Sequence, residues 1–414
     1  MSGFGPFGSN DPFGGVPFFA DLAKMLSQQG PVSWDAARQL AHSIALGGES
    51  EPNVDPADRI QLEQLARVAD LHVGSTTGLA TSRSGGGAEI VPVTRGQWLA
   101  KSLEAYKPFV ESIASALAPA DGTDITDITT ADPESFDQDP EAAMGAWLGG
   151  VMQMLSPMML GMTAGSMLGH LATRSLGQYD LPVPRKSGDD EILVVIRNVD
   201  AFGEEWSLDR DELRLWICLH ETAHHAVLSV PHVRARLVTL LEEFATSFDP
   251  DMSALEDRLG SVDPSDPQGG LGAMQDLFSD PEVLVGAMRS PAQEALLPRL
   301  EALVASIVGY VDWVMDHTGD RIMAGYGQIT EAMRRRRVEA APSDRFVGQL
   351  LGLDLTQALY DRGTAFVDGV VEREGPEGLD RLWVREQNLP TPAEIDAPGL
   401  WLARIDLPDL DDPS

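Results

Sequence analysis

Cysteine is almost missing from these 414 residues: Cys218 stands alone, so no intramolecular disulfide can form. The fold therefore does not depend on an oxidising compartment. Positive charge is also scarce, with 30 Lys+Arg against 64 Asp+Glu and a net charge of −34. Such a surface repels phosphate backbones and anionic headgroups, which excludes nucleic-acid binding and lipid docking as leading functions. The first residues, Met1 to Pro17, are rich in Gly, Phe and Pro. They lack the basic start and apolar run of a secretory signal, so a flexible leader on a cytoplasmic protein is expected. No repeat of fixed period occurs, and Gly85-Gly86-Gly87 follows no convincing strand, so it does not read as a phosphate loop. No Ser or Cys nucleophile motif stands out.

What is present is an ordinary globular balance, 43% hydrophobic and 23% charged, enough to bury a sizeable core. Length alone suggests two or three domains. Helices from both halves of the chain are expected to pack around one central helix, which favours one large domain over 18–398, followed by an acidic tail over 399–414. Acidic loops are expected near 121–140 and 249–272, and the chain from Pro390 is expected to be extended. Ala142 to Thr173 carries no Asp, Glu, Lys or Arg and is long enough to span a bilayer. Pro157 divides it and glycines dilute it, so it reads as a buried helical hairpin. Gly161, Gly165 and Gly169 leave one face bare for a close neighbour. Residues 56–75 read as an amphipathic helix with Ile60, Leu62, Leu65, Val68, Ala69 and Leu71 on its apolar stripe. Glu191 to Val199 is the best strand, and a helix capped at Asp209, with Glu212 completing a capping box, should run through Val227.

That last helix carries the chemistry. It contains His220-Glu221-Thr222-Ala223-His224-His225. Histidines four apart project from one helix face and can share a metal. Glu221, beside the first, can take a proton from a metal-activated water, whose pKa zinc lowers to about 7. This is the HExxH arrangement. The flanking Leu213, Trp216, Ile217, Leu219 and Ala223 belong to a buried helix, where unpaired imidazoles would be costly. A strand precedes it and could hold an extended substrate at its edge. A third ligand is open between Glu243, which follows His224 with eighteen residues between, and Asp312, a carboxylate in an otherwise apolar helix that needs a partner. His225 points about 100° from His224 and reads as packed. Arg334 to Arg337 read as partners for the protein's own acids.

Taken together these segments resemble the zincin-like metallopeptidase family of actinobacteria and relatives, whose members are often labelled hydrolases. Part of that family is named for an association with biosynthesis of a deazaflavin coenzyme. The resemblance rests on Val32-Ser33-Trp34-Asp35, Thr94-Arg95-Gly96-Gln97-Trp98, Gln178-Tyr179-Asp180-Leu181-Pro182, the HETAHH run with Val230-Pro231, Gly309-Tyr310-Val311-Asp312, Arg334 to Arg337, Leu350-Leu351-Gly352-Leu353 and Leu389-Pro390-Thr391. It implies a mainly α, zincin-like architecture with a small β element beside the HExxH helix. It also implies zinc as cofactor, His220 and His224 as ligands and Glu221 as base; the substrate, expected to be a peptide or small amide, is read from the HExxH helix and the strand before it. The later helix in the family often reads E-G-x-x-[DE]; here Val308 holds the first acid position and Asp312 remains. Three outcomes stay open: Asp312 as third ligand, Glu243 in its stead, or a pseudoenzyme that serves as a binding or scaffold protein for another protein.

Overall fold

A computed structural model describes residues 30–82, 85, 87–116, 140–184, 190–248, 289–339 and 348–407, with the backbone alone over 140–155. The expected leader and both acidic loops fall wholly or almost wholly outside these residues. The architecture is mainly α, as the sequence implies. The helices in order are α1 (Trp34–Leu46), α2 (Pro56–Thr77), α3 (Arg95–Ala116), α4 (Pro140–Arg174), α5 (Ile196–Glu205), α6 (Arg210–Ser229), α7 (Pro231–Thr246), α8 (Pro291–Ile322), α9 (Tyr326–Val338), α10 (Gln357–Glu374), α11 (Pro392–Ile395) and α12 (Pro398–Ile405). Strand β1 (Glu89–Val93) precedes α3, and β2 (Glu191–Val195) precedes α5; they pair in parallel, Glu89 opposite Glu191 through Val93 opposite Val195.

Several expectations change. The apolar stretch is one helix, α4, that runs through Pro157, not a hairpin. Proline removes one backbone bond and crowds the preceding turn, but a helix held along its length by a neighbour can absorb that. Here α1 is that neighbour. A Cβ at Gly161 would fall on the Ser33 carbonyl, and one at Gly165 would lie 2.5 Å from the Ala37 oxygen and 2.9 Å from its Cα. The bare face thus meets the backbone of Ser33, Ala37 and Ala41. No helix among the described residues is long and apolar enough to cross a membrane.

In α2 the stripe is rotated from the expected one. Leu62, Ala66, Ala69 and Val73 are buried, whereas Ile60, Val68 and Leu71 are exposed. The predicted strand stops at Val195, where α5 begins, and its partner β1 was not foreseen. β2 is no open edge either: Ile192 to Val195 are fully buried, β1 flanks one side, and Gly177 bridges Val194 on the other. Finally, the chain after Pro390 forms α11 and α12 over Pro392–Ile395 and Pro398–Ile405 instead of an extended segment, and Trp401 of α12 is fully buried in the main core.

The crossing of α1 and α4 makes a direct prediction. Gly165→Leu should cost about 3 kcal/mol, because the atoms it would displace are backbone. A urea midpoint equal to wild type would show that the helices are not in this contact.

Candidate functional site

Helix α6 is central because almost every side chain from Leu213 to Leu228 is buried. Its start is fixed by Asp209, whose carboxylate accepts the N–H groups of Asp211 and Glu212. The expected reciprocal box does not close: Glu212 instead accepts the N–H groups of Ala324 and Gly325, tying α6 to the α8–α9 turn. One turn in, the fully buried Arg214 donates to Asp200 of α5 and to Asp58 and Gln61 of α2.

Two turns further, His220 and His224 lie side by side, ring centroids 4.4 Å apart. His220 stacks on Trp216 at 4.9 Å, and His224 on Tyr179 at 5.9 Å. His224 Nδ1 is 3.1 Å from the His220 carbonyl oxygen. A carbonyl can only accept, so Nδ1 donates and the lone pair of the neutral ring sits on Nε2. Burial pushes both imidazoles down, His220 to about 4 with help from the Arg337 charge, and His224 to about 3 with help from His220. Both are neutral at pH 7, the state in which imidazole ligates metal.

Glu221 is only 1% exposed. The turn after α4 wraps it: Gln178 and Tyr179 donate their N–H groups to Oε2 at 2.8 and 2.9 Å, and a Cβ at Gly177 would fall on the carboxylate. Its other oxygen is 3.4 Å from His220 Nδ1. Burial, then the Asp180 charge, pushes the carboxyl up to about 8, against the pull of His224 and the two N–H groups. The Gly177–Tyr179 turn is itself held, since Trp98 Nε1 donates to the Gly177 carbonyl at 3.1 Å. Tyr179 OH meets His225 Nδ1 at 2.8 Å, and His225 Nε2 lies 3.6 Å from Asp190. His225 is packed, and Cys218 is buried core.

His220 and His224 open on a cavity of about 130 Å³, whose walls include Tyr179, Val308, Arg336 and Arg337. Glu221 is not among the lining residues. Neither is Asp312, which pairs with Arg337 through two bonds of 2.8 Å. Burial would raise the Asp312 carboxyl, but the Arg337 charge and hydrogen bonds outweigh it and hold it below the ordinary range. Glu243 sits half-buried on α7, away from the cavity lining. Arg335 and Arg336 pair with Glu331 and Asp180, as a charge run in an acidic chain should.

Residues 32–402 match the model of the zincin-like metallopeptidase family. The chain belongs to that family. It is also similar to the crystal structure of a "putative hydrolase with a novel fold" from Chloroflexus aurantiacus, at 24% identity and TM-score 0.63, over 91% of this chain and 99% of that one. That likeness speaks for the fold alone. No curated protein matches the chain.

Members of a zincin-like family imply a bound zinc, and the residues answer that implication in part. Two neutral imidazoles, one with Nε2 certainly free, suit a divalent transition metal. The protein donors then stop. Among the described residues no three His, Cys, Asp or Glu side chains are placed to hold one ion. Val308, one turn before Asp312 on α8, contributes an apolar side chain to the cavity wall. Sequence reasoning reached the HExxH residues but missed Gly177 and Tyr179 as the cradle of Glu221, and Arg337 as the partner of Asp312. No periodicity marks such contacts, which join segments 43 and 25 residues apart.

Proposed function

We propose that the chain is a metal-dependent hydrolase of peptide or small amide bonds, with His220 and His224 as metal donors and Glu221 as the general base. The observation that carries this reading is the pair of backbone N–H bonds that aim a buried carboxylate beside His220. A bound zinc would supply Lewis-acid polarisation of the substrate carbonyl and an acidified water. Glu221, poised near neutral pH by its burial, holds and releases the proton. His224 keeps its ligating nitrogen outward because its other nitrogen is bonded to the backbone. A cytoplasmic location is part of this reading, and the lone buried Cys218 is compatible with it because the fold does not depend on an oxidising compartment. An actinobacterial origin and a role beside deazaflavin coenzyme synthesis rest on the resemblance alone.

The test is elemental analysis of purified protein beside His224→Ala, followed by an amide and peptide library with Glu221→Gln as control. About one zinc per chain, lost in the His224 variant, and turnover that falls about 10²–10⁴-fold in Glu221→Gln are expected. Zinc-loaded protein with no Glu221-dependent turnover would sink it. Val308 favours a second reading, a binding or scaffold protein that keeps the fold without turnover. Absence of zinc in both proteins, even after zinc is added back, would support that one.

A further inference from the structure

We propose that the histidine cavity recognises its ligand by a carboxylate, the free C-terminus of a short peptide or an N-acylated amino acid, and that Arg336 receives it. The proposal rests on the reading of this cavity as the place where a peptide or amide binds, and it narrows the substrate class. His220 and His224 share the cavity with three arginines, Arg174, Arg336 and Arg337. Only two carboxylates, Asp180 and Asp354, stand among its lining residues, in a chain whose acids outnumber its bases 64 to 30. Arg337 is committed, with both terminal nitrogens on Asp312. Arg336 has donors to spare. It holds the Asp180 carboxylate at 2.8 Å and the Arg174 carbonyl at 2.9 Å, both through Nη2. Among the described residues Nε and Nη1 have no hydrogen-bond partner, although the side chain is only 21% exposed.

A guanidinium carries five N–H donors, and a side chain this covered needs acceptors for them. Nη2 spends two. The other three belong to a residue on the cavity wall, where an anionic acceptor makes a stronger, charge-assisted bond than water does. Binding does not have to order the arginine either. Its partner Asp180 is itself fixed by the Leu176 N–H at 2.9 Å, and the Arg174 carbonyl closes the end of α4. A side chain held in place beforehand spares the ligand that entropy cost. Leu171, Val308 and Leu353 line the same cavity and suit an apolar side chain beside the carboxylate. One guanidinium on a partly apolar wall matches a single negative charge; a phosphate dianion calls for several free cations or a nest of backbone N–H groups.

The experiment is isothermal titration of the full chain at pH 7, with chelator present so that no turnover interferes. The probes are acetyl-alanyl-leucine and, as its uncharged twin, the same compound with a C-terminal amide. The acid should bind about tenfold or more tightly than the amide. Arg336→Gln should bring the two within about twofold of each other and leave the amide's affinity unchanged. Arg335→Gln, which loses only an exposed pair with Glu331, should keep the preference. Arg336→Lys, which keeps the charge, should retain part of it even where the glutamine variant fails to fold; a lysine variant with no preference counts against the site. Acid and amide bound equally by wild type, or neither bound, overturns the proposal and needs no variant. So does a preference that survives Arg336→Gln, or inorganic phosphate displacing the acid at equal or lower concentration, which would assign the site to phosphorylated ligands. The hydrolase reading fails separately. Protein that takes up no zinc yet prefers the acid keeps this proposal and loses turnover, and Glu221-dependent turnover without an acid preference does the reverse.

Discussion

Arg214→Ala is expected to destabilise the protein by about 3–5 kcal/mol, with most of the loss coming from what is left behind. The guanidinium is fully buried and makes charge-assisted bonds to Asp200 and Asp58, on two helices other than its own. Without it, two partly buried carboxylates keep only the exposed Arg210 as a shared partner. Arg210 touches the same two acids, but from a side chain 58% exposed, where an ion pair contributes about 0–1 kcal/mol. Arg210→Ala should therefore be nearly silent, which makes it the control. Lysine at 214 should rescue only part of the loss, since an ammonium cannot reproduce the forked geometry. Urea unfolding of the three variants decides it; a loss of 1 kcal/mol or less in Arg214→Ala would show that the acids are solvated. The position matters because Arg214 lies six residues before His220 on the same helix. It fixes α6 against α2 and α5, and so holds the histidines toward their cavity.

Helical segments with a wide apolar face were legible, because burial of such a face repeats every third or fourth residue. The HExxH pair was legible for the same reason: four-residue spacing alone puts two imidazoles on one face. Where the sequence misled, a tertiary partner decided. The stripe on α2 reads two ways, since alanines and valines cover both faces, and the packing of α6 picks the side of Leu62 and Ala66. Pro157 looks like a break until the carbonyls of Ser33 and Ala37 are seen against the glycine face. β1 is five residues with a proline, Pro92, next to last, a weak strand in isolation, and it exists because β2 pairs with it. The third-ligand question lay beyond pattern altogether. That a buried Asp312 needs a partner was readable; that the partner would be Arg337, a member of a run of four arginines, was not.

Glu221→Gln should change the pH dependence of stability more than any other single substitution at the site. In the folded protein burial raises the Glu221 carboxyl to about 8 from an ordinary 4.5. Between those values the native state holds a proton that the unfolded chain has released, so stability falls as pH rises through that window. His220 and His224 work in the other direction. They are depressed to about 4 and 3, and the unfolded imidazoles take protons from about 6.5 downward, so stability is lost as pH falls from there. Only Glu221 of the three titrates between about 6.5 and 8, which isolates it. In chelator-treated protein, wild type should lose stability across that interval, while Glu221→Gln should stay flat. By pH 9 the variant should be more stable by several kcal/mol, on the order of what a shift of this size represents. The glutamine carbonyl can still accept the Gln178 and Tyr179 N–H groups, so the cradle stays satisfied and the difference reports charge. Parallel urea midpoints for the two proteins from pH 6.5 to 9 would mean that Glu221 is already ionised when buried. Its two N–H bonds would then have outweighed its desolvation, and a general base with a pKa near neutrality would no longer be available at this site.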